Sequence, residues 1–495
     1  MSQALDIDTL LPDLDPAAQV IIRLLQQQNQ QLAEQIALLT AEVAALRQAL
    51  FGRKSEVMPD IRRRPAAATP EEKAQREQER LKKRAAGREN QKALPVQESV
   101  LDVPDEQRVC PTCNGTELGE LGEGLVTEQI EYVPPQLVRI RWVRRKYACR
   151  CGEGIVTAAP PPTVGEGVIY GPGLHAQVAV AKCADSLPLY RQAKAMKRAG
   201  VRIGRSTLGD VFHRTAEALK PLYDRLVNQV ALADYVSADE TPLPVQKKGG
   251  CHRGFVWTFI AGKTIVYTYS RTRSGETPSR ILGDSEGVLQ VDGYSGYNAV
   301  STPKSRTRAG CWAHTRRYFF KALDTAKTDA NEAMDRIGKL YRIEREARES
   351  GIAGSAAHLG LRETESRPIV AALFEWLAER QAKYPPKSPM GKAITYALNQ
   401  RASLEVFLSD ASVAIDNNAS ERALRVVAVG RKNFLFAGND GGAQNLAILQ
   451  TMVSTAQSYG VNPFEYLRDV LIRLDSHPNS RIDELLPEHW HPAEP

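Results

Sequence analysis

A chain of 495 residues is longer than one hydrophobic core usually serves, which predicts several domains. Its composition, 42% hydrophobic and 25% charged, is that of an ordinary soluble protein. The formal net charge of +7 favours an anionic partner, but many soluble proteins are equally basic, so the distribution of charge matters more.

The sequence carries no signal for export or membrane insertion. No run approaches the roughly 20 apolar residues of a membrane span, and the acidic start MSQALDIDTLLPDLD lacks the basic and apolar regions of a secretory signal. We therefore expect a cytoplasmic protein with no membrane partner. In that reducing compartment the seven cysteines should be thiols or metal ligands rather than disulfides.

Residues 20–51 repeat every seven residues. The d positions of the heptads are Leu25, Leu32, Leu39 and Leu46, and the a positions are Ile22, Asn29, Ile36, Val43 and Leu50. With no Pro or Gly inside, this pattern predicts a leucine-zipper coiled coil, two-stranded and parallel, and therefore a homodimer. The alternative is an amphipathic helix packed on its own domain.

Residues 52–107 are polar and charge-rich, which predicts a linker or arm.

Residues 108–152 contain two pairs of closely spaced cysteines. The four are Cys110, Cys113, Cys149 and Cys151. Alternating stretches on either side of Pro134-Pro135 predict a β-hairpin whose base the cysteines clamp. Four thiolates suit a closed, tetrahedral Zn²⁺ site, so we expect a structural zinc, with free thiols as the alternative.

The second predicted strand of this ribbon is strongly basic. Its cations are Arg139, Arg141, Arg144, Arg145, Lys146 and Arg150, and Trp142 and Tyr147 are interleaved among them. Basic and aromatic side chains together are typical of a nucleic-acid surface. A solvated strand face is the alternative.

Residues 171–220 are predicted to form short helices. The segment LPLYRQAKAMKRAG is followed by a turn with glycine, and Ser206 is the expected N-cap of the next helix. The basic residues of this region are Arg191, Lys194, Lys197, Arg198, Arg202 and Arg205. This pattern fits a helix-turn-helix that binds DNA, although any small helical bundle gives a similar one.

From residue 234 the sequence becomes strand-like. Runs rich in Val, Ile, Thr and aromatic residues are separated by glycines. Asp239 is expected near the end of the first strand, and Asp292 at the end of the last. Two such carboxylates on neighbouring strands can share a divalent ion, whereas capping of loops is their ordinary alternative role.

Two helical regions complete the chain. A helix is expected from about Trp312, and residues 325–410 are expected to be helical throughout. In the segment 416–425, Asn418 is the predicted N-cap and Glu421 has the capping-box spacing, so capping is the simpler interpretation of Glu421. The other interpretation is catalytic, since paired metal ions held by carboxylates activate water at phosphodiesters.

Several motifs together resemble the insertion sequence 66 (IS66) family of bacterial transposases. They are GCWAHTRRYFF, LQVDGYSGYN, ADETP, IDNNASERALR and GRKNFLFAGNDGG, together with the zipper, the cysteine ribbon, PLYRQ and GRSTLGD. The resemblance runs from about residue 20 to 490 with the motifs in order.

This resemblance implies a multidomain α+β protein with an RNase H-like α/β catalytic core. The core would comprise residues 234–324 and 411–460, with a helical insertion at 325–410 and a C-terminal tail at 461–495. Asp239, Asp292 and Glu421 would be the DDE catalytic triad, binding paired Mg²⁺, with Mn²⁺ as a substitute. The second-shell or DNA-contacting residues would be His314, Arg317, Asn418, Arg422 and Arg425.

The implied function is that of a DNA transposase in a bacterial cytoplasm, associated with the nucleoid. It would bind the terminal inverted repeats of its element, cut DNA and join it to target DNA, with companion proteins from the same element. The alternative is a dimeric, zinc-containing DNA-binding regulator derived from an inactive transposase. A second metal site at Cys251-His252 and Cys311 with His314 is a weaker prediction, because isolated buried Cys and His are common.

Overall fold

The computed structural model describes residues 15–51, 74, 77–82, 136–148, 155–165, 169–302 and 304–492. By its contacts the chain divides into two units, residues 1–53 with 137–495, and residues 54–136. The predicted zinc ligands Cys110, Cys113, Cys149 and Cys151 lie outside the described residues. The expected mixture of helices and strands is confirmed.

A single long helix, α1 (Pro16–Phe51), covers the predicted zipper without interruption. The side chains of Leu25, Leu32 and Leu39 are exposed along it. The prediction of a helix is confirmed, and its pairing into a coiled coil stays a prediction. No helix in the described part of the chain is both long and apolar enough to cross a membrane.

The basic ribbon differs from its prediction. Strand β1 (Lys146–Ala148) pairs antiparallel with β2 (Ile155–Thr157), and Ala158 N–H donates to the Arg145 carbonyl at 3.0 Å. No strand is assigned to residues 136–145, where a continuous strand was predicted, and LVTEQIEYV lies outside the described residues. The strand found pairs with the residues that follow it. Its predicted pairing with the stretch before Pro134 lies outside the described residues and stays a prediction.

Three helices follow: α2 (Pro172–Cys183), α3 (Leu189–Arg198) and α4 (Arg205–Ala231). The prediction of Ser206 as N-cap is wrong, because α4 begins at Arg205 with Gly204 as its cap residue. The helix also continues past residue 220 through Pro221. Burial of Leu219, Leu222 and Leu226 on both sides of the proline stabilises the continued helix despite the lost backbone hydrogen bond.

Five strands form one mixed sheet in the order β5-β4-β3-β6-β7. They are β3 (Tyr235–Lys247), β4 (Gly250–Ala261), β5 (Thr264–Ser270), β6 (Gly287–Gln290) and β7 (Arg306–Ala309). The first three are antiparallel neighbours, whereas β6 and β7 run parallel to β3 and follow helix α5 (Glu276–Leu282). Strand β3 pairs with β4 as far as Lys247, but with β6 only over Tyr235–Ser237.

Helices make up most of the remaining chain. They are α6 (Trp312–Lys321), α7 (Lys327–Glu349), α8 (Ala356–Leu361), α9 (Arg367–Arg380), α10 (Pro389–Asn399), α11 (Arg401–Glu405), α12 (Asn418–Phe434), α13 (Asp440–Ser458) and α14 (Pro463–Arg473). The expected helix from Trp312 and the expected helical stretch 325–410 are confirmed. Ile337, Phe374 and Ile394 of this stretch pack in one buried cluster with residues outside it, such as Trp312 and Ile415, while a second cluster contains most of the buried sheet residues.

A buried ion pair connects the helical stretch to the segment that leads into α12. The Arg362 guanidinium, 1% exposed, donates to both Glu344 carboxylate oxygens at 2.7 and 2.8 Å. It also donates to the carbonyls of Phe407, Asp410 and Val413. One side chain therefore fixes the path of residues 407–413.

We expect Arg362→Met to lower the free energy of unfolding by about 3–5 kcal/mol, because it leaves three carbonyls without their donor and the buried Glu344 carboxylate with only His358 beside it. Urea denaturation measures this loss. The matched control is Arg367→Met, which breaks the exposed pair with Glu363 at 2.6 Å and should cost less than about 1 kcal/mol. Equal losses in the two variants would contradict this account of the segment.

Candidate active site

Asp239 lies in the interior of β3 rather than near a strand end, so that prediction is wrong. Strand β3 continues because β4 pairs with it from Ser237 to Lys247, while its parallel neighbour β6 ends opposite Ser237. Asp239 comes two residues after that last pair. Its carboxylate accepts a hydrogen bond from the Glu240 backbone N–H at 2.8 Å.

Asp292 lies two residues beyond Gln290, the last residue of β6. Its carboxylate accepts the Tyr294 backbone N–H at 2.9 Å, which holds the turn at Gly293. Arg308 donates to the backbone carbonyls of Asp292 and Tyr294 at 2.6 and 2.7 Å. Strands β3 and β6 are parallel neighbours, and Ser237 pairs with Gln290. Asp239 and Asp292 each come two residues after this pair, so both lie beyond the same end of the pairing.

Glu421 lies in the first turn of α12, which packs on β3. The buried Asn417 amide donates to the Ala238 carbonyl at 2.7 Å, next to Asp239. The Ser420 hydroxyl donates to the Ser237 hydroxyl at 3.1 Å. These contacts bring the start of α12 to the Asp239 side of β3. Pattern analysis missed Asn417, whose only signal was its place in a polar run.

The capping interpretation of this helix is wrong. Asn418 is the first helical residue, and Asp416 accepts its backbone N–H at 3.1 Å and its side-chain amide at 2.7 Å. The Glu421 carboxylate instead accepts from Arg317 Nη2 at 3.2 and 3.3 Å, and His314 Nε2 lies 3.7 Å from it. The N-cap residue is Asn417, and Glu421 contacts side chains of α6 instead of the backbone at the helix start.

Negative charge accumulates where these elements meet. The pKa of the Asp239 carboxyl is raised to about 7, chiefly by burial and next by the neighbouring Glu240 carboxylate. The charges of Asp292 and Glu421 raise it as well. Partly buried carboxylates that repel one another are stabilised by a cation, and carboxylate oxygens are ligands that Mg²⁺ prefers.

The carboxylates do not form a closed ligand set in this structure. Within the described ranges, no three His, Cys, Asp or Glu side chains lie close enough to hold one metal ion. The second metal site predicted at Cys251-His252 and Cys311 is likewise absent there. His252 contacts Asp440 and Tyr269, and the buried Cys311 thiol accepts the Asn417 N–H.

Glu240 was not singled out from the sequence. It points to the opposite face of β3 from Asp239, and its carboxylate accepts from Tyr297 Oη and from Arg273 Nε, each at 2.7 Å. The Arg273 guanidinium lies 4.0 Å from the centroid of the Tyr294 ring. Through these contacts Glu240 supports the turn that carries Asp292. The only feature of the sequence that could have indicated Glu240 was the pair of adjacent acids in ADETP.

The raised pKa of Asp239 predicts how stability depends on pH without added Mg²⁺. Because the folded-state pKa is about 7 and the unfolded value is near 4, the folded chain holds a proton that the unfolded chain has lost. Stability should therefore fall as pH rises from about 4 to 7. Asp239→Asn should raise the free energy of unfolding by about 2 kcal/mol at pH 8 and by only about a third as much at pH 5.

Urea denaturation at the two pH values measures this difference. Asp284→Asn, at an exposed aspartate, is the matched control and should change stability little at either pH. Parallel loss of stability in wild type and Asp239→Asn between pH 5 and 8 would contradict the prediction.

The other predicted site residues divide into two groups. His314 and Arg317 contact Glu421, and Arg422 and Arg425 lie exposed on α12. The predicted DNA-binding cations are all exposed: Arg139, Arg141, Arg144, Arg145 and Lys146 in the ribbon, and Arg191, Lys194, Arg202 and Arg205 on and between α3 and α4. Exposure fits contact with a polyanion, and their DNA-binding role stays a prediction.

Comparisons with known proteins agree over most of the chain. Residues 167–445 match the family model described as Transposase IS66 family. Residues 107–152 match the zinc-finger binding domain of transposase IS66, and residues 451–487 match the IS66 C-terminal element.

Relatives of similar length occur in Sinorhizobium fredii (strain NBRC 101917 / NGR234). The chain is 33% identical over 496 residues to its uncharacterized protein y4hP, which covers 94% of this chain and 84% of that protein. It is 31% identical over 504 residues to uncharacterized protein y4jD, covering 94% and 97% respectively. The match to uncharacterized protein y4qI is 35% over 410 residues, covering 78% and 75%.

Proposed function

The chain belongs to the IS66 family of transposases, and from this membership we propose that it cuts the ends of a bacterial insertion sequence and joins them to target DNA. The observation that carries the proposal is that α12 begins beside Asp239, where Asn417 donates to the Ala238 carbonyl, and that the charges of Asp292 and Glu421 help to raise the pKa of the partly buried Asp239. Asp239, Asp292 and Glu421 come from β3, the end of β6 and α12, and they form the proposed DDE triad.

We assign an RNase H-like core to residues 234–324 and 411–460, with 325–410 as a helical insertion. The mixed sheet with Asp239 on its middle strand supports this assignment, as does the packing of α12 on β3. The uninterrupted run of helices between α6 and α12, most of whose buried side chains pack with one another, supports the treatment of 325–410 as an insertion.

Asp239, Asp292 and Glu421 would hold two Mg²⁺, or Mn²⁺ in their place. The donor set fits, since three carboxylates provide hard oxygen ligands and a negative site. Bound divalent ions would supply Lewis-acid activation of water and stabilisation of charge at phosphorus. Arg317, which now contacts Glu421, and His314 orient that carboxylate, while the exposed Arg422 and Arg425 bind DNA phosphates.

In this proposal the remaining regions bind DNA, a structural zinc and a second copy of the chain. The ribbon of residues 108–152 binds a structural Zn²⁺ through its four cysteines, in keeping with its match to a zinc-finger family model. The ribbon and the helix-turn-helix of residues 171–220 contact the terminal inverted repeats. Helix α1 pairs two copies of the chain through its exposed leucines. Companion proteins encoded by the same element assist in cutting and joining the DNA.

The test is incubation of the full, zinc-loaded chain with a duplex that carries the terminal inverted repeat of its own element. In Mg²⁺ we expect nicking that leaves a 3′-hydroxyl, and joining of that end to a second duplex. Neither product should form without a divalent ion.

The opposite outcome favours the regulator. The Arg317–Glu421 ion pair and the open ligand set are the observations on its side. Specific binding without cleavage, in Mg²⁺ or Mn²⁺ and with the companion proteins added, would overturn the catalytic proposal.

A further inference from the structure

A strained turn follows α12 at the motif NFLFAG. Leu435 has φ 65° and ψ −48°, and the Phe436 N–H donates to the Phe434 carbonyl at 2.8 Å. This is a three-residue γ-turn with positive φ, which is rare and costly for a residue with a branched side chain. In the described part of the chain, Ser186 is the only other non-glycine residue with positive φ.

The strain does not bury the side chain. Leu435 is 66% exposed and the next residue, Phe436, is 39% exposed. Both the backbone conformation and the exposure of two large apolar side chains cost free energy, and neither is offset by packing of Leu435. Such strain is typical of positions with a role in binding.

Contacts on both sides hold the turn in place. Ala437 pairs with the free edge of β3, accepting the Gln246 N–H at 2.8 Å and donating to the Pro244 carbonyl at 2.9 Å. On the other side, the Lys182 ammonium lies 4.4 Å from the centroid of the partly buried Phe434 ring. The tip is therefore a rigid projection rather than a loose loop.

A line of exposed residues leads from the carboxylates to this tip. Arg422, which follows Glu421 directly, and then Arg425, Val429 and Lys432 are spaced three or four residues apart, so these four share one face of α12. Three of the four are cations, which suits a run of phosphates. With a rise of about 1.5 Å per residue, Leu435 lies about 20 Å from Glu421, or roughly six base pairs of duplex.

We propose that Leu435 and Phe436 form an apolar wedge that enters a base step of the bound duplex, about six base pairs from the cleaved bond. This rests on the proposed function, which supplies the DNA at Glu421. Apolar side chains on a DNA-binding surface commonly unstack a base step and bend the duplex. Two side chains are too small a patch for a stable protein interface of about 1,200 Å² or more, whereas the flanking cations match DNA.

The wedge is tested with 2-aminopurine placed in turn at base pairs three to nine from the cleaved bond. The full, zinc-loaded chain is added to each end duplex without Mg²⁺, so that binding is measured without cleavage. We expect at least a threefold rise in fluorescence at one or two adjacent positions. Leu435→Ala with Phe436→Ala should abolish the rise, lower the cleavage rate in Mg²⁺ at least tenfold, and change Kd less than threefold.

Two controls separate the wedge from a folding defect. Leu232→Ala with Ile472→Ala removes apolar side chains of similar exposure elsewhere, 81% and 38%, and should change neither fluorescence nor cleavage. Leu435→Gly relieves the backbone strain, so its melting temperature should equal or exceed that of wild type while the fluorescence rise is lost. A mismatch at the responding step should restore cleavage by the double variant.

The outcomes are distinguishable from those of the catalytic proposal. No rise at any position, or an equal rise with the double variant, overturns the wedge even if Mg²⁺-dependent cleavage occurs. A rise that depends on Leu435 and Phe436 without cleavage by wild type supports the wedge and overturns the catalytic proposal. Failure to bind the duplex overturns both.

Discussion

Asp239→Asn, Asp292→Asn and Glu421→Gln are each expected to reduce Mg²⁺-dependent cleavage of the end duplex at least about a thousandfold. This corresponds to about 4 kcal/mol of transition-state stabilisation. Each variant removes one anionic ligand from a site that uses paired metal ions to stabilise charge at phosphorus. Because the substitutions are nearly isosteric, binding of the duplex should change little. Single-turnover cleavage and a binding titration measure the two effects.

Matched controls are available on the same fold. Asp284→Asn and Glu286→Gln make the same chemical changes at exposed carboxylates before β6, and both should leave cleavage unchanged. If a triad variant cleaves within tenfold of wild type, the carboxylate it alters is not part of the catalytic site.

Removal of the predicted zinc should have the second large effect. A structural Zn²⁺ contributes on the order of 10 kcal/mol to the folding of a small domain. Cys110→Ala should therefore lose one Zn²⁺ per chain and expose the ribbon segment to protease. Since that segment carries Arg139 and its basic neighbours, affinity for the end duplex should fall at least tenfold. Elemental analysis, limited proteolysis and a binding titration measure these changes.

The control for the cysteine change is Cys251→Ser. Cys251 is an exposed free thiol on β4 and should not bind zinc. A full complement of zinc in Cys110→Ala, or unchanged DNA affinity after zinc is lost, would contradict the role assigned to the ribbon.

Local patterns in the sequence predicted the elements well where one face of a helix or strand is buried. The strand-like runs of the sheet and the helical stretch 325–410 were found where they were expected. Pairing was harder. The length of β3 beyond Ser237 is set by β4, a contact that the residues around Asp239 do not encode.

The candidate site depended more on resemblance than on pattern. Without the family motifs, Glu421 looked like a capping residue, because Asn418 and the three-residue spacing imitate that arrangement. In the structure Asp416 accepts the Asn418 N–H, and the N-cap residue Asn417 contacts the backbone beside Asp239. Long-range contacts of this kind, like the γ-turn at Leu435, arise from tertiary packing and leave no periodic signal.

The central claim is that Asp239, Asp292 and Glu421 hold a pair of divalent ions, and electron paramagnetic resonance of bound Mn²⁺ tests it most directly. The sample is the full, zinc-loaded chain with its end duplex, compared with Asp292→Asn. We expect two Mn²⁺ in wild type, magnetically coupled as ions about 3.5–4 Å apart should be, and no coupled pair in the variant. The same uncoupled Mn²⁺ spectrum from both proteins would contradict the claim.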